Sequence, residues 1–146
     1  MGSRVMLCNW EIRLANFITS SHDVPFRWGS MDCITFANNA WRAMTGKGFA
    51  DDILGNYSTE RGAAMTYLRW VKGSKYSDIA EALDDRLSRL HTKFPPRGSI
   101  VAKPPSVNAP VIPYVFGVCV GSKNAFVGDQ SLVFSNPNPQ LLIWGF

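Results

Sequence analysis

The sequence predicts an α+β domain in which helices come first and an antiparallel sheet follows. Apolar residues recur at helical spacing through the first 94 residues. After Pro95 and Pro96 this periodicity stops, and short runs rich in β-branched and aromatic residues alternate with Gly, Asn and Pro turns. A chain of 146 residues suits one domain with its own core. We therefore predict one domain over residues 1–146, with a helical half over 1–94 and a β half over 95–146.

The helical half contains four predicted helices. The first covers residues 4–20. The second begins after Asp32, the predicted N-cap, and ends at Gly46. Its apolar stripe is the most regular in the chain and comprises Cys33, Phe36, Ala37, Ala40, Trp41 and Met44. The other two helices cover residues 59–71, opened by Ser58 or Thr59, and residues 77–91, capped by Ser77.

The β half contains five predicted strands with well-marked turns between them. They cover residues 99–102, 114–120, 125–127, 132–134 and 141–144. Four prolines fall in residues 103–113, so this segment is predicted to be an exposed loop rather than regular structure. Because it also carries Val111 and Ile112, the loop is either a docking element for a partner or an ordinary surface loop.

Charge and cysteine content exclude several classes of function. The net charge is +4, but no two Lys or Arg residues are adjacent, so no nucleic-acid footprint is expected. No apolar run approaches the ~20 residues of a membrane span. The three cysteines form no C-x-x-C pair, which argues against a zinc site and a disulfide framework. No cofactor is expected. The start of the chain does not resemble a signal peptide, so we expect synthesis in the cytoplasm.

Residues 25–33 carry the most informative pattern, because a glycine-containing turn delivers Cys33 to the first turn of a buried helix. Partial positive charge and free N–H groups at a helix start favour a thiolate and can form an oxyanion hole. The alternative is that Cys33 is simply the first apolar residue of the helical stripe, since free cysteine is a common core residue.

This segment resembles the opening of NlpC-type cell-wall peptidases, which have a papain-like fold. Trp28-Gly29 is followed by Asp32-Cys33, with Phe36 on the next turn. More closely, the chain resembles a domain-of-unknown-function family encoded among phage and prophage tail genes. The further shared blocks are Ala43-x-x-Gly46, Tyr57 with Gly62-Ala63, Arg97-Gly98, Gly117-Val118-Cys119-Val120-Gly121, Leu132-Val133-Phe134 and Trp144.

The resemblance implies a nucleophile without its base. In active NlpC-type enzymes a histidine begins a strand in an H-x-G-[IV] pattern and accepts the thiol proton. Gly117-Val118 matches the end of that pattern, which puts Val115 at the histidine position. Asp129 and Gln130 are the candidates for the third, polar member of the triad.

The two histidines of the chain fall elsewhere. His22 precedes the motif, and His91 is predicted to end the fourth helix. Neither belongs to the strand that is expected to face Cys33.

The leading hypothesis is a structural or assembly protein of a phage tail tip, built on an inactivated NlpC-type fold. The resemblance implies its partners, namely other tail proteins such as a distal tail or hub protein. It also implies its location, in the virion or encoded by a prophage. The contact surface is predicted at the former active-site groove, around Trp28, Gly29, Asp32 and Val115, or at the loop with Val111 and Ile112. The alternatives are an active peptidoglycan hydrolase that aids DNA entry, and a non-catalytic cell-wall binding module.

Overall fold

The computed structural model describes residues 6–73, 78–104 and 114–145, which form four helices and six strands. The helices are α1 (Trp10–Ser21), α2 (Cys33–Thr45), α3 (Glu60–Gly73) and α4 (Ile79–Asp84). The strands are β1 (Ser88–Leu90), β2 (Ile100–Lys103), β3 (Val115–Cys119), β4 (Asn124–Val127), β5 (Leu132–Ser135) and β6 (Leu142–Gly145). The predicted α+β class is confirmed.

Helix α2 is the central helix, and its predicted ends are confirmed. The Asp32 carboxylate accepts a hydrogen bond from the Thr35 N–H at 2.9 Å, which satisfies a free donor at the helix start. Gly46 adopts a left-handed conformation with φ of 92°, and its N–H donates to the Arg42 carbonyl. The predicted apolar stripe is buried except at Cys33, which is half-buried.

Helices α1 and α3 differ from prediction mainly at their ends. Helix α1 begins at Trp10 rather than residue 4, because the Leu7 N–H donates to the Met44 carbonyl and so ties this segment to the end of α2. Helix α3 is opened by Thr59, whose hydroxyl accepts from the Gly62 N–H at 3.0 Å.

The prediction of a helix over residues 77–91 is wrong over its second half. Helix α4 ends at Asp84, and residues 88–90 form strand β1, which pairs antiparallel with β6. The N-cap is Asp78, whose carboxylate accepts from the Glu81 N–H, and Ser77 lies outside the described residues. Leu83 and Leu87 fit a helical period, but pairing with β6 fixes the backbone that follows them as a strand. His91 therefore follows a strand and does not end a helix.

All six strands form one antiparallel sheet in the order β1-β6-β2-β3-β4-β5. The five predicted strands are confirmed, with bounds that shift by one residue at most of their ends. The sheet also takes β1 from the half of the chain that was predicted to be helical, so the boundary at residue 95 does not separate helices from strands.

The two faces of the sheet bury different side chains. Toward the helices lie Ile100, Ala102, Phe116, Val118, Ala125 and Trp144, which join the main core around α2. A smaller cluster on the outer face contains Val101, Cys119, Phe126 and Ile143. This alternation follows from the two-residue period of a strand, and it decides which residues of β3 face the candidate site.

Two predicted features of the chain bear on partners. Val111 and Ile112 lie in residues 105–113, outside the described part of the chain. Among the residues that the structure describes, no helix has the length and apolar character needed to cross a bilayer.

Candidate functional site

A tight turn precedes the central helix and sets the position of its first residue. Arg27 and Met31 form a short antiparallel bridge, with hydrogen bonds between their main chains at 2.8 and 3.2 Å. Gly29 lies at the tip with φ of 86°, and a Cβ atom there would meet the Tyr57 carbonyl oxygen at 1.9 Å. Glycine is thus required twice, by the backbone conformation and by the close approach of another chain segment.

Asp32 is buried and its carboxylate is fully engaged in holding the turn together. One oxygen accepts from the Thr35 N–H at 2.9 Å. The other accepts from the Gly29 N–H at 2.8 Å and from the Tyr57 hydroxyl at 2.7 Å. The predicted capping role of Asp32 is confirmed, and these three bonds leave it committed to the fold rather than to a reacting group.

A buried tyrosine pair extends this network, and no role was predicted for either hydroxyl group. The Tyr57 hydroxyl lies 3.1 Å from that of Tyr67 and 3.3 Å from that of Thr35. The two rings meet edge to face with centroids 6.0 Å apart. Burial is the main cause that raises the pKa of both tyrosines, and the Asp32 charge raises them further. Both phenols therefore stay protonated at neutral pH.

Cys33 lies at the first position of α2, half-buried against strand β3. Burial raises the pKa of its thiol to about 11, despite N–H groups of Phe116, Ile34 and Cys33 itself that favour the thiolate. The adjacent Asp32 charge also raises this pKa. At pH 7 the thiolate fraction is then on the order of one in ten thousand. The helix start supplies oxyanion-type donors, but the thiol remains protonated.

Phe116, rather than Val115, is the residue of β3 beside Cys33. Val115 pairs with Lys103, and the Lys103 ammonium lies 4.1 Å from the ring centroid of Phe126 on the outer face of the sheet. Directly paired residues share a face, so Val115 also belongs to the outer side, where it is 40% exposed. The expectation that Val115 faces the sulfur is thus wrong, because the next residue, Phe116, lies there instead. Phe116 has no proton-transfer group either.

Neither histidine reaches the strand on which Cys33 packs. The His22 ring stacks on Phe134 of β5 with centroids 5.9 Å apart, and its main-chain carbonyl accepts from the Leu132 N–H. Two strand spacings, about 10 Å, separate β5 from β3. His91 follows β1, which lies three strands from β3 on the other side. The His22 ring hydrogen-bonds to Asp23, and neither ring makes a hydrogen bond with the Cys33 sulfur.

The candidates for the third triad member occupy an exposed turn. Asp129 and Gln130 lie between β4 and β5, and both are exposed. The Asp129 main-chain carbonyl accepts from the Phe26 N–H at 3.3 Å, so this turn supports the segment before the motif.

Trp28 and the flank of α2 border the candidate site. Trp28 is half-buried and meets Phe26 edge to face, with ring centroids 4.8 Å apart. A cavity of about 290 Å³ runs beside α2. Its polar lining residues are Ser30, Thr35, Asn38, Asn39, Arg42 and Asp51. Asn38 and Arg42 both donate to the Asp51 carboxylate.

Among the described residues, no three His, Cys, Asp or Glu side chains cluster as a metal site requires. The fold and site therefore define a class: an α+β domain with an antiparallel sheet behind a central helix that starts at a protonated cysteine. Over residues 5–145 the chain matches a family described as a domain of unknown function, DUF6950, and it belongs to that family. No curated protein matches it.

Proposed function

We propose that this chain is a structural or assembly protein of a phage tail tip, built on an NlpC-type fold without proton-transfer machinery. The observation that carries the proposal is the surroundings of Cys33. Its sulfur rests on the main chain of Phe116, its pKa is about 11, and the residues of β3 nearest to it are apolar.

Peptide-bond hydrolysis by a thiol needs two proton transfers that this site does not support. A base must take the thiol proton, and an acid must protonate the leaving amine. Asp32 is the neighbouring carboxylate, but its oxygens already accept three hydrogen bonds and its charge disfavours the thiolate. Loss of the base alone lowers the rate by orders of magnitude, because a triad acts as a unit.

The motif around Cys33 has a structural role that does not require catalysis. Gly29 permits the close approach of Tyr57, and Asp32 joins the turn, the helix start and Tyr57. A scaffold retains such residues because they determine the fold, even when the thiol has no reaction to perform.

The tail context rests on the resemblance of the sequence blocks to proteins encoded among phage tail genes. On this proposal the chain is made in the bacterial cytoplasm and then resides in the virion or is encoded by a prophage. Its partners are other tail proteins, a distal tail or hub protein among them. The proposed contact with these partners is the surface around Trp28, at the position of the former active-site groove. Phe26, which borders Trp28, is exposed there.

The test combines assembly with enzymology on the variant Cys33→Ala. We expect the variant to support normal tail assembly and to copurify with the distal tail or hub protein as the wild type does. We expect that neither the wild type nor the variant releases peptides from purified peptidoglycan. Cys8→Ala, which removes an exposed cysteine, is the matched control for both measurements.

Two results contradict the proposal. One is release of peptides by the wild type that is lost in Cys33→Ala, which establishes an active hydrolase. The other is failure of the folded wild-type protein to associate with any tail protein of its own phage.

A second candidate is a non-catalytic cell-wall binding module, and the polar cavity beside α2 favours it. Hydroxyl, amide and guanidinium groups on this flank match the polar groups of a glycan or peptide stem. Sedimentation with isolated cell walls tests it. Binding that is reduced at least tenfold in Asn39→Ala supports a wall-binding role, and equal binding of both proteins excludes this cavity as the site.

A further inference from the structure

Helix α3 carries an apolar pair on the side that faces away from the core. Met65 and Leu68 are each 47% exposed. Arg61 and Lys72 complete the line at i, i+4, i+7 and i+11, so the four side chains form one straight row along the helix. We call these four residues the α3 stripe.

The α3 stripe lies opposite the face that packs on the protein. That buried face is made by Ala63, Tyr67 and Trp70, at i, i+4 and i+7. At 100° per residue, the centre of the stripe is about 180° from the centre of the buried face. Met65 and Leu68 are therefore not part of the main core, although this outermost line of a helix is where charged residues normally lie.

The basic residues of this helix have no acidic partner among the residues that the structure describes. Arg42, Arg86 and Arg89 are paired with Asp51, Asp52 and Asp84. No such ion pair forms within that part of the chain at Arg61, Arg69 or Lys72. Three positive charges with no ion pair to a described residue thus surround an exposed apolar pair, and this is complementary to an apolar ridge flanked by carboxylates.

A groove lies along one side of the stripe. It has a volume of about 310 Å³ and is lined by Ile53, Asn56, Thr66, Arg69 and Trp70. Arg69 stands between the groove and the stripe, so a carboxylate on a docked segment can pair with it while apolar side chains cover Met65 and Leu68.

We propose that the α3 stripe is a docking site for an acidic amphipathic helix of another protein. The helix presents apolar residues at i, i+4 and i+7, with Glu or Asp on either side. A membrane surface fits the stripe less well, because an interfacial helix buries a broad apolar face, whereas this one offers two residues. The proposal stands apart from the tail-assembly role, since α3 and the Cys33 site are different surfaces.

The test measures binding of a fluorescent synthetic peptide to the full chain. The probe is an Ala-based helix of about 18 residues with Leu at i, i+4 and i+7 and Glu on both flanks. Leu68→Glu is the test variant. Ile12→Glu is the matched control, because Ile12 is also an exposed apolar residue on a helix, at 64% exposure, but lies on α1. Circular dichroism verifies that both variants are folded.

We expect Leu68→Glu to weaken binding at least tenfold and Ile12→Glu to leave it within twofold. Wild-type affinity falls as salt rises, because ion pairs to the three cations are screened. In the double variant Arg61→Glu with Lys72→Glu, the preference reverses, so that a peptide with Lys in place of Glu binds better than the acidic one.

Other outcomes overturn the proposal. They are equal binding by wild type and Leu68→Glu, equal binding of acidic and basic peptides by the wild type, and no acidic-peptide binding at about 1 mM. If the wild type binds no peptide but binds vesicles of anionic lipid, and Leu68→Glu loses that vesicle binding, the partner is a membrane rather than a protein. If the wild type binds no peptide but self-associates, and Leu68→Glu loses that self-association, the partner is a second copy of this chain.

Discussion

At the scale of single residues, Gly29 explains why the turn before α2 has its sequence. Its positive φ and its approach to the Tyr57 carbonyl are separate constraints, and the chain offers a glycine that has only the first. Gly55 has φ of 97° and no atom within 4 Å of the position of an added Cβ. Comparison of the two positions therefore separates backbone strain from steric contact.

We predict that Gly55→Ala lowers the free energy of unfolding by about 1–2 kcal/mol, the usual cost of a left-handed alanine. Gly29→Ala is expected to cost at least about 2 kcal/mol more, because the backbone of Tyr57 must move. Urea unfolding of both variants measures the difference. Equal losses in the two variants would show that the contact at Tyr57 is relieved without cost.

At the scale of elements, one acidic side chain links the end of helix α4 to strand β1 and to its neighbour β6. Asp84 ends α4 and accepts from the indole N–H of Trp144 on β6 at 2.8 Å. It also accepts two hydrogen bonds from Arg89 on β1, at 2.8 and 3.0 Å, and the Arg89 guanidinium lies 4.9 Å from the Trp144 ring centroid. The helix, the short strand and its neighbour are thus joined at one point.

Asp84→Ala is expected to lower the free energy of unfolding by about 2–3 kcal/mol, because it leaves the indole N–H of a fully buried Trp144 without its acceptor. Asp52→Ala is the matched control, since Asp52 also pairs with an arginine but its side chain is 65% exposed. The control is expected to cost less than about 1 kcal/mol. Chemical denaturation measures the free energy of unfolding of both variants. Similar losses would show that Asp84 does not stabilise the junction of α4, β1 and β6.

At the scale of the whole molecule, groups that burial keeps protonated make the free energy of unfolding depend on pH. Burial raises the pKa of Cys33 to about 11 and also raises the pKa of Tyr57 and Tyr67. A group with a raised folded pKa that is neutral when protonated favours the fold below its unfolded pKa. In the unfolded chain the thiol loses its proton near pH 9, so stability falls as pH rises from there toward 11.

We predict constant stability between pH 7 and 8.5 and a progressive loss from pH 9 to 10.5, measured by urea unfolding at each pH. Cys33→Ala removes one of the responsible groups, so its stability falls less steeply over the same range. An unchanged slope in this variant would mean that the folded thiol titrates as it does in the unfolded chain.

The sequence alone determined the helix-then-sheet order, both ends of α2 and the five later strands. These features depend on local signals: an N-cap aspartate, a left-handed glycine, helical periodicity and turn residues between β-rich runs. It also placed the cysteine at the start of the central helix. Tyr57 was part of the recognised pattern, but nothing nearby in sequence shows that its hydroxyl reaches Asp32.

Only the tertiary structure decided that residues 88–90 form a strand and that Phe116, rather than Val115, lies against Cys33. Strand pairing joins residues far apart in the chain, as Ser88 and Gly145 are, so no local pattern contains it. The neighbouring strands determine which side chains of a strand face the core, and a shift of one residue exchanges the two faces. The surroundings of the Cys33 thiol, and hence its protonation, follow from which side chains of β3 face the core.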